Sequence, residues 1–189
     1  MAYDAFLKLT DVKGESADSK HKGEIDILSF SFGANQTGSS AHGGGGGTGK
    51  VSLQDFHFVH SVDQSSPVLF QKCATGEHLK EALITVRKAG GEQLEYLKIK
   101  LTDVLVSSVQ QAGHATAGIV SPRDLATGQA SGKTFVREAA NSAGDNFPTE
   151  SISLNFSKIT IDYQPQGADG KPQGGAIHGG WDAKQNVKV

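Results

Sequence analysis

Gly44, Gly49 and Lys50, within AHGGGGGTGKVSLQDF (residues 41–56), stand at the spacing of a phosphate-cradling P-loop, G-x-x-x-x-G-K-[S/T]. The chemistry fails on three counts. Position 51 is Val, so the hydroxyl that should bind Mg²⁺ is missing, and Ser52 comes one residue late. A P-loop also needs a helix to follow, whose N-terminus helps hold the phosphate; here the following residues alternate as a strand. Another near-match, TGQASGKT (127–134), has Thr127 where the first glycine belongs.

The other reactive side chains do not converge. His57 and His60 are three apart on a strand-like run, so they point to opposite faces and cannot chelate together. His21, His42, His78, His114 and His178 show no ligand spacing. Cys73 near His78 suggests a Cys–His nucleophile, but no third residue orients the pair, and Cys73 reads as a half-buried helix cysteine. Asp103 and Asp162 lie in strand-like segments without an acidic partner. The expectation is a chain with no catalytic residues, no metal and no cofactor.

Ser29 and Ser31 offer binding rather than chemistry. In IDILSFSF (25–32), Ile25, Ile27, Ser29 and Ser31 share one face of a strand, and Asp26, Leu28, Phe30 and Phe32 the other. Two readings stay open from the residues alone: a solvated outer face, or a wall facing a water-filled channel.

The elements that must position these residues are mostly strands. YDAFLKL (3–9) alternates with period two, and VSLQDFHFVH (51–60) resumes that pattern after a long Gly/Ser loop over residues 33–50. SSPVLFQKCATG reads as the one helix: Ser66 as cap, Pro67 in the first turn, Gly76 as terminator. It is barely three turns and must lean on the sheet. EALITVRKA and QLEYLKIKL flank Gly90–Gly91 as a hairpin, with DVLVSSV as a further strand or a continuation. In SISLNFSKITIDYQ the apolar phase passes from Ile152, Leu154 and Phe156 to Ile159, Ile161 and Tyr163, which predicts an inserted residue near Ser157. Residues 164–189 read as a Pro/Gly/Gln tail closed by GWDAKQNVKV. The fold class is mainly β: two packed antiparallel sheets forming a barrel with one short helix, in a single domain over residues 1–189.

Composition agrees. The 189 residues hold 24 Gly, 37% hydrophobic and 20% charged residues, which suits turns and short strands. A net charge of -2 with no basic block argues against nucleic acid as partner. The single cysteine cannot form an internal disulfide, as expected of folding in a reducing compartment. The N-terminal stretch lacks the pattern of a cleaved signal, and no apolar run reaches membrane-spanning length, so the expectation is a cytosolic protein or one exported without a signal peptide.

Several stretches, in order, together resemble one family. MAYDAFLKLTDVKGESADSKHKGEIDILSFSFG, GGGGTGKVSLQDFHFVHSVDQSSPVLFQKCATGEHLKEALITVRKAGG, LEYLKIKLTDVLVSSV, SLNFSKITIDYQPQ and GWDAKQNVKV are similar to Hcp, the hemolysin-coregulated protein of the bacterial type VI secretion system. The resemblance implies a phage tail-tube-like fold without enzyme activity. It implies a homohexameric ring, with rings stacked into a tube inside a contractile sheath, resting on a baseplate and tipped by a VgrG-type spike. Small effector proteins would travel in the lumen, and the protein would be cytoplasmic before firing and secreted afterwards. By the same resemblance Ser29 and Ser31 map to the lumen wall, and Gly43, Gly44, Gly45, Gly46, Gly47, Thr48, Gly49 and Lys50 to a loop touching neighbouring subunits or rings. Residues 112–149 are longer than the resemblance leads one to expect and read as an insertion. The competing expectation is a secreted small-ligand or glycan-binding β-barrel, monomeric, with aromatic residues on one exposed patch.

Overall fold

The computed structural model describes residues 3–38, 48–89, 93–113, 148–167 and 170–189. Strands dominate: β1 (Tyr3–Leu9), β2 (Ile25–Ile27), β3 (Ser29–Ser31), β4 (Ala34–Gly38), β5 (Thr48–Leu53) and β6 (Phe56–Ser61) precede the helix α1 (Ser66–Thr75), and β7 (His78–Lys88), β8 (Glu95–Ala112), β9 (Thr149–Tyr163), β10 (Ile177–Asp182) and β11 (Val187–Lys188) follow it. The main sheet runs β11-β10-β9-β8-β7-β1-β2, with every pairing antiparallel. The first half of β9 also pairs with β6, and β6 with β3. The chain from β2 to β3 therefore leaves the edge of β1 and arrives at the edge of β6. That crossing rounds the sheet into a barrel-like fold without hydrogen bonds closing it.

The crossing corrects one expectation. Residues 25–32 are not one strand with constant faces. Ile25 and Ile27 are buried, whereas Ser29 and Ser31, of the same parity, are exposed. Leu28 breaks the run: its amide donates to the Val59 carbonyl and the chain turns over as it changes partners. Odd residues thus face the core beside β1 and face outward beside β6.

The long strands change faces too. In β7 the buried residues pass from Leu79 to Ala82, Ile84 and Val86. In β8 they pass from Ile99 and Leu101 to Val104 and Val106, and in β9 from Leu154 and Phe156 to Ile159. The phase slip read near Ser157 is real, but it is not one residue inserted in one strand. Leu79 faces Val104, Glu81 faces Thr102, Val104 faces Phe156 and Thr102 faces Lys158, so all three strands slip together at Lys80, Asp103 and Ser157 with their pairing count kept. Asp103 takes the slip in its backbone, with φ at 56°. Such a crease lets one long hairpin serve both layers of a barrel. In the β8–β9 pairing the extra residue lies elsewhere, at Ser107, between the Val106 and Ser108 pairings of β8.

The helix keeps its predicted length. Gly76 ends it at φ 66°, a left-handed turn that costs glycine little. Its cap position is Ser65 rather than Ser66, and no side chain caps it there. Asp63 instead accepts hydrogen bonds from the Ser65 amide (2.8 Å) and hydroxyl, while Ser66 Oγ accepts from the Asp63 amide at 3.1 Å. Leu69 is fully buried, so the short helix leans on the sheet as expected.

Two stretches read as loop or tail contain strands, and the run read over residues 51–60 divides into the end of β5 and most of β6, which belong to different sheets. β4 and β5 pair at the base of the Gly/Ser stretch, Ala34 against Leu53 and Gln36 against Val51, and form a separate two-stranded sheet. β10 adds to the second half of β9, with Trp181 facing Ile159, and β11 adds to β10. The period-two signal is weak in both because Gly, Asn and Gln replace the branched residues that usually mark strands.

The connection from β1 to β2 is clasped by Arg87, which is only 4% exposed. Its guanidinium donates to Asp18 at 2.5 Å and to Asp4 at 3.2 Å and lies 4.8 Å from the centre of the Phe6 ring. A buried cation needs such partners, because desolvation without them is prohibitive. Arg87 in turn holds the Asp18 carboxyl down at about 2, helped by the Lys20 and His21 amides.

Candidate functional site

The exposed sides of β3, β6, the first half of β9 and the end of β8 form one polar face. The register sets it in rows. Ser31 faces His57, and His57 faces Ser153; Ser29 faces Val59, and Val59 faces Ser151. Ser29, Ser31 and His57 are exposed. The alternate residues Phe58 and Ile152 are buried on the opposite side, and Phe30 stacks on Phe56 at 5.7 Å. The strands keep one face in the core and one outward, with Ser153 buried within the outward row.

Side-chain hydrogen bonds tie the rows together. His57 Nδ1 lies 2.8 Å from Ser153 Oγ. Asp55 accepts from Ser107 Oγ at 2.6 Å and from Asn155 Nδ2 at 2.8 Å. Ser107 also reaches the Ser153 carbonyl at 3.2 Å. Ser107 is the bulge residue of β8, so the irregularity turns a hydroxyl onto this face, as bulges do near functional surfaces. Among these residues Asp55 is the only carboxylate. Nothing here can act as acid, base and nucleophile together; the face can exchange hydrogen bonds with a polar surface laid against it.

Ser29 and Ser31 are legible from sequence as members of this face. Their neighbours His57, Ser107, Ser153 and Asn155 escape that reading, although Ser151, Ser153 and Asn155 alternate with Ile152, Leu154 and Phe156 and carry the signal. Of the glycine-stretch residues, Gly43, Gly44, Gly45, Gly46 and Gly47 lie outside the described residues, as does the stretch 114–147. Thr48, Gly49 and Lys50 begin β5, so a strand occupies the place where a P-loop needs a helix.

Several other titratable groups are held in structural pairs. His57 and His60 do point apart: His57 is exposed, and His60 is buried with Nε2 3.2 Å from the Glu150 carboxylate. His78 and Lys184 both bond Asp103 at the crease, and their hydrogen bonds, that of Lys184 above all, hold its carboxyl down at about 2. Cys73 packs against the core. Among the described residues, no group of three or more His, Cys, Asp or Glu could hold a metal ion. No helix among them is long and apolar enough to cross a membrane.

Comparison with known proteins decides the family. The family described as "Type VI secretion system effector, Hcp" matches residues 6–163. The chain belongs to the Hcp family. Protein hcp1 of Pseudomonas aeruginosa is 44% identical over 190 aligned residues, covering all of both chains. Among solved structures, Hcp1 of Salmonella typhimurium is similar at 33% identity and a TM-score of 0.69, again over the full length of both chains. A type six secretion system protein reaches a TM-score of 0.78 at 27% identity with the same coverage. Hcp is a family of structural tube proteins of type VI secretion, not of enzymes.

Proposed function

We propose that this chain forms hexameric rings that stack into the inner tube of a type VI secretion system and carries small effector proteins against its polar four-strand face. The observation behind this reading is that face: a row from Ser31 through His57 to Ser153, small and hydrogen-bonding, beside one carboxylate at Asp55. Turned toward a ring lumen, it holds water and folded cargo without the strong attraction that would prevent release. A contact made of several neutral hydrogen bonds, each worth about 1 kcal/mol net, is reversible by nature. The sheath, baseplate and VgrG-type spike are the partners such a tube requires, and secretion would follow a cytoplasmic stage. Gly43, Gly44, Gly45, Gly46, Gly47, Thr48, Gly49 and Lys50 would touch neighbouring subunits or rings, and the stretch 112–149 would be an insertion within this single domain.

Ser31→Gln tests the lumen assignment. The longer side chain on an exposed site leaves the fold intact and displaces cargo from the row. Loss of one hydrogen bond of about 1 kcal/mol lowers retention roughly fivefold. Co-purification of a cognate effector with rings of each protein reads the effect; undiminished retention contradicts the assignment.

A further inference from the structure

We infer that the lysine-rimmed cleft between the β1–β2 connection and α1 binds an acidic segment of a partner protein, one whose carboxylates flank an apolar side chain. The cleft has a volume of about 740 Å³. Lys8, Lys13, Lys20 and Lys22 stand around it, and all four are exposed. None of them makes an ion pair among the described residues. Two carboxylates share the lining. Glu24 is already engaged by His21 Nδ1 at 2.8 Å, which leaves Asp11 against four cations. Like charges held together without counter-ions repel, and an anion in their midst relieves that repulsion.

The fold gathers these lysines from separate stretches. Lys8 points outward between the buried Leu7 and Leu9. Beyond Asp11, at φ 61°, the chain doubles back: the Gly14 amide donates to the Gly23 carbonyl and the Gly23 amide to the Ser16 carbonyl, both at 2.9 Å. That return sets Lys20 and Lys22 on the same cleft as Lys8 and Lys13. The Lys20 amide donates to Asp18 at 2.9 Å, and Arg87 holds that carboxylate, so the segment is fixed before any ligand arrives. Leu9, Val12 and, from α1, Val68 supply an apolar part of the lining. That lining selects the ligand. A small inorganic anion satisfies the lysines but leaves the apolar surface wet, whereas a peptide with Glu on either side of Leu covers both. Lysine ammonium groups are point charges on flexible stems. They suit carboxylates spread along a peptide better than the planar, bidentate grip that arginine makes.

Fluorescence anisotropy of a labelled Glu-Leu-Glu-Glu-Leu-Glu peptide, titrated with the full-length protein, tests the inference. The same peptide with serine in place of leucine, and inorganic tripolyphosphate as competitor, separate the apolar from the ionic contribution. The variants are Lys13→Ala, Lys20→Ala and the double reversal Lys13→Glu with Lys20→Glu, with Lys188→Ala as a lysine outside the cleft. All four positions are exposed, so the variants should keep the wild-type thermal midpoint. Wild type should bind the leucine peptide saturably, and added salt should weaken the binding. Each alanine in the cleft should weaken it about two- to fivefold, the scale of one exposed ion pair, and the double reversal more than about tenfold. Lys188→Ala should bind as wild type. Absence of saturable binding overturns the inference. So does a loss in Lys188→Ala equal to that of the cleft variants, which would mean a general attraction to the protein surface. Serine peptide or tripolyphosphate bound as tightly as the leucine peptide would mean an anion site without an apolar floor, and overturns it as well. None of these results bears on ring formation, which is read separately from the mass of the same samples.

Discussion

Asp103 holds a left-handed backbone at φ 56° in the middle of β8, where strand residues are extended. Asp and Asn tolerate this conformation because their short polar side chains bond locally, whereas a β-branched residue clashes. Asp103→Val should therefore lose about 1–2 kcal/mol more than Asp103→Asn, measured by denaturant midpoint. Equal loss would mean the crease does not depend on that backbone. Acid should act on the same class of residue. The Arg87 guanidinium holds the Asp18 carboxyl, and Lys184 with His78 the Asp103 carboxyl, at about 2, below the ordinary aspartate value of 3.8. A carboxylate depressed on folding contributes stability above its unfolded value, lost as pH falls toward its folded one. Stability should therefore drop between about pH 4 and pH 2, and Asp18→Asn should flatten that slope. An unchanged acid profile in Asp18→Asn would show that the Arg87 clasp contributes nothing there.

At the scale of elements, strands with branched apolar residues on alternate positions are legible from sequence. β1, β7, β8 and β9 fall where the period-two runs of Ala5, Leu7, Ile84, Ile99 and Ile152 put them. The helix is legible through Pro67 and Gly76, whose backbone preferences are local. What sequence leaves undecided is set by neighbours. The slip at Ser157 is visible in one strand, but its cause needs β7 and β8 alongside. The reversal at Leu28 arises because the chain changes partner there, and a single strand's periodicity carries no trace of partners. β4, β10, β11 and the first three residues of β5 are held by pairing rather than by propensity, so their Gly, Asn and Gln content hides them. The polar face shows the same division: Ser29 and Ser31 are legible on their own strand, whereas Ser107 reaches the face only because β8 carries a bulge.

At the scale of the whole molecule, a barrel-like fold presents one polar face on β3, β6, β8 and β9 and an apolar groove beside Trp181. Family membership supplies the tube, and the polar face suits a lumen. The most direct measurement is the mass of the purified wild-type protein by light scattering, with negative-stain images of the same sample. Hollow rings at six times the chain mass are expected, as a closed head-to-tail assembly stops at a fixed number of copies. A compact monomer at every concentration would contradict the tube reading and turn attention to the groove beside Trp181 as the binding site of a ligand-carrying barrel.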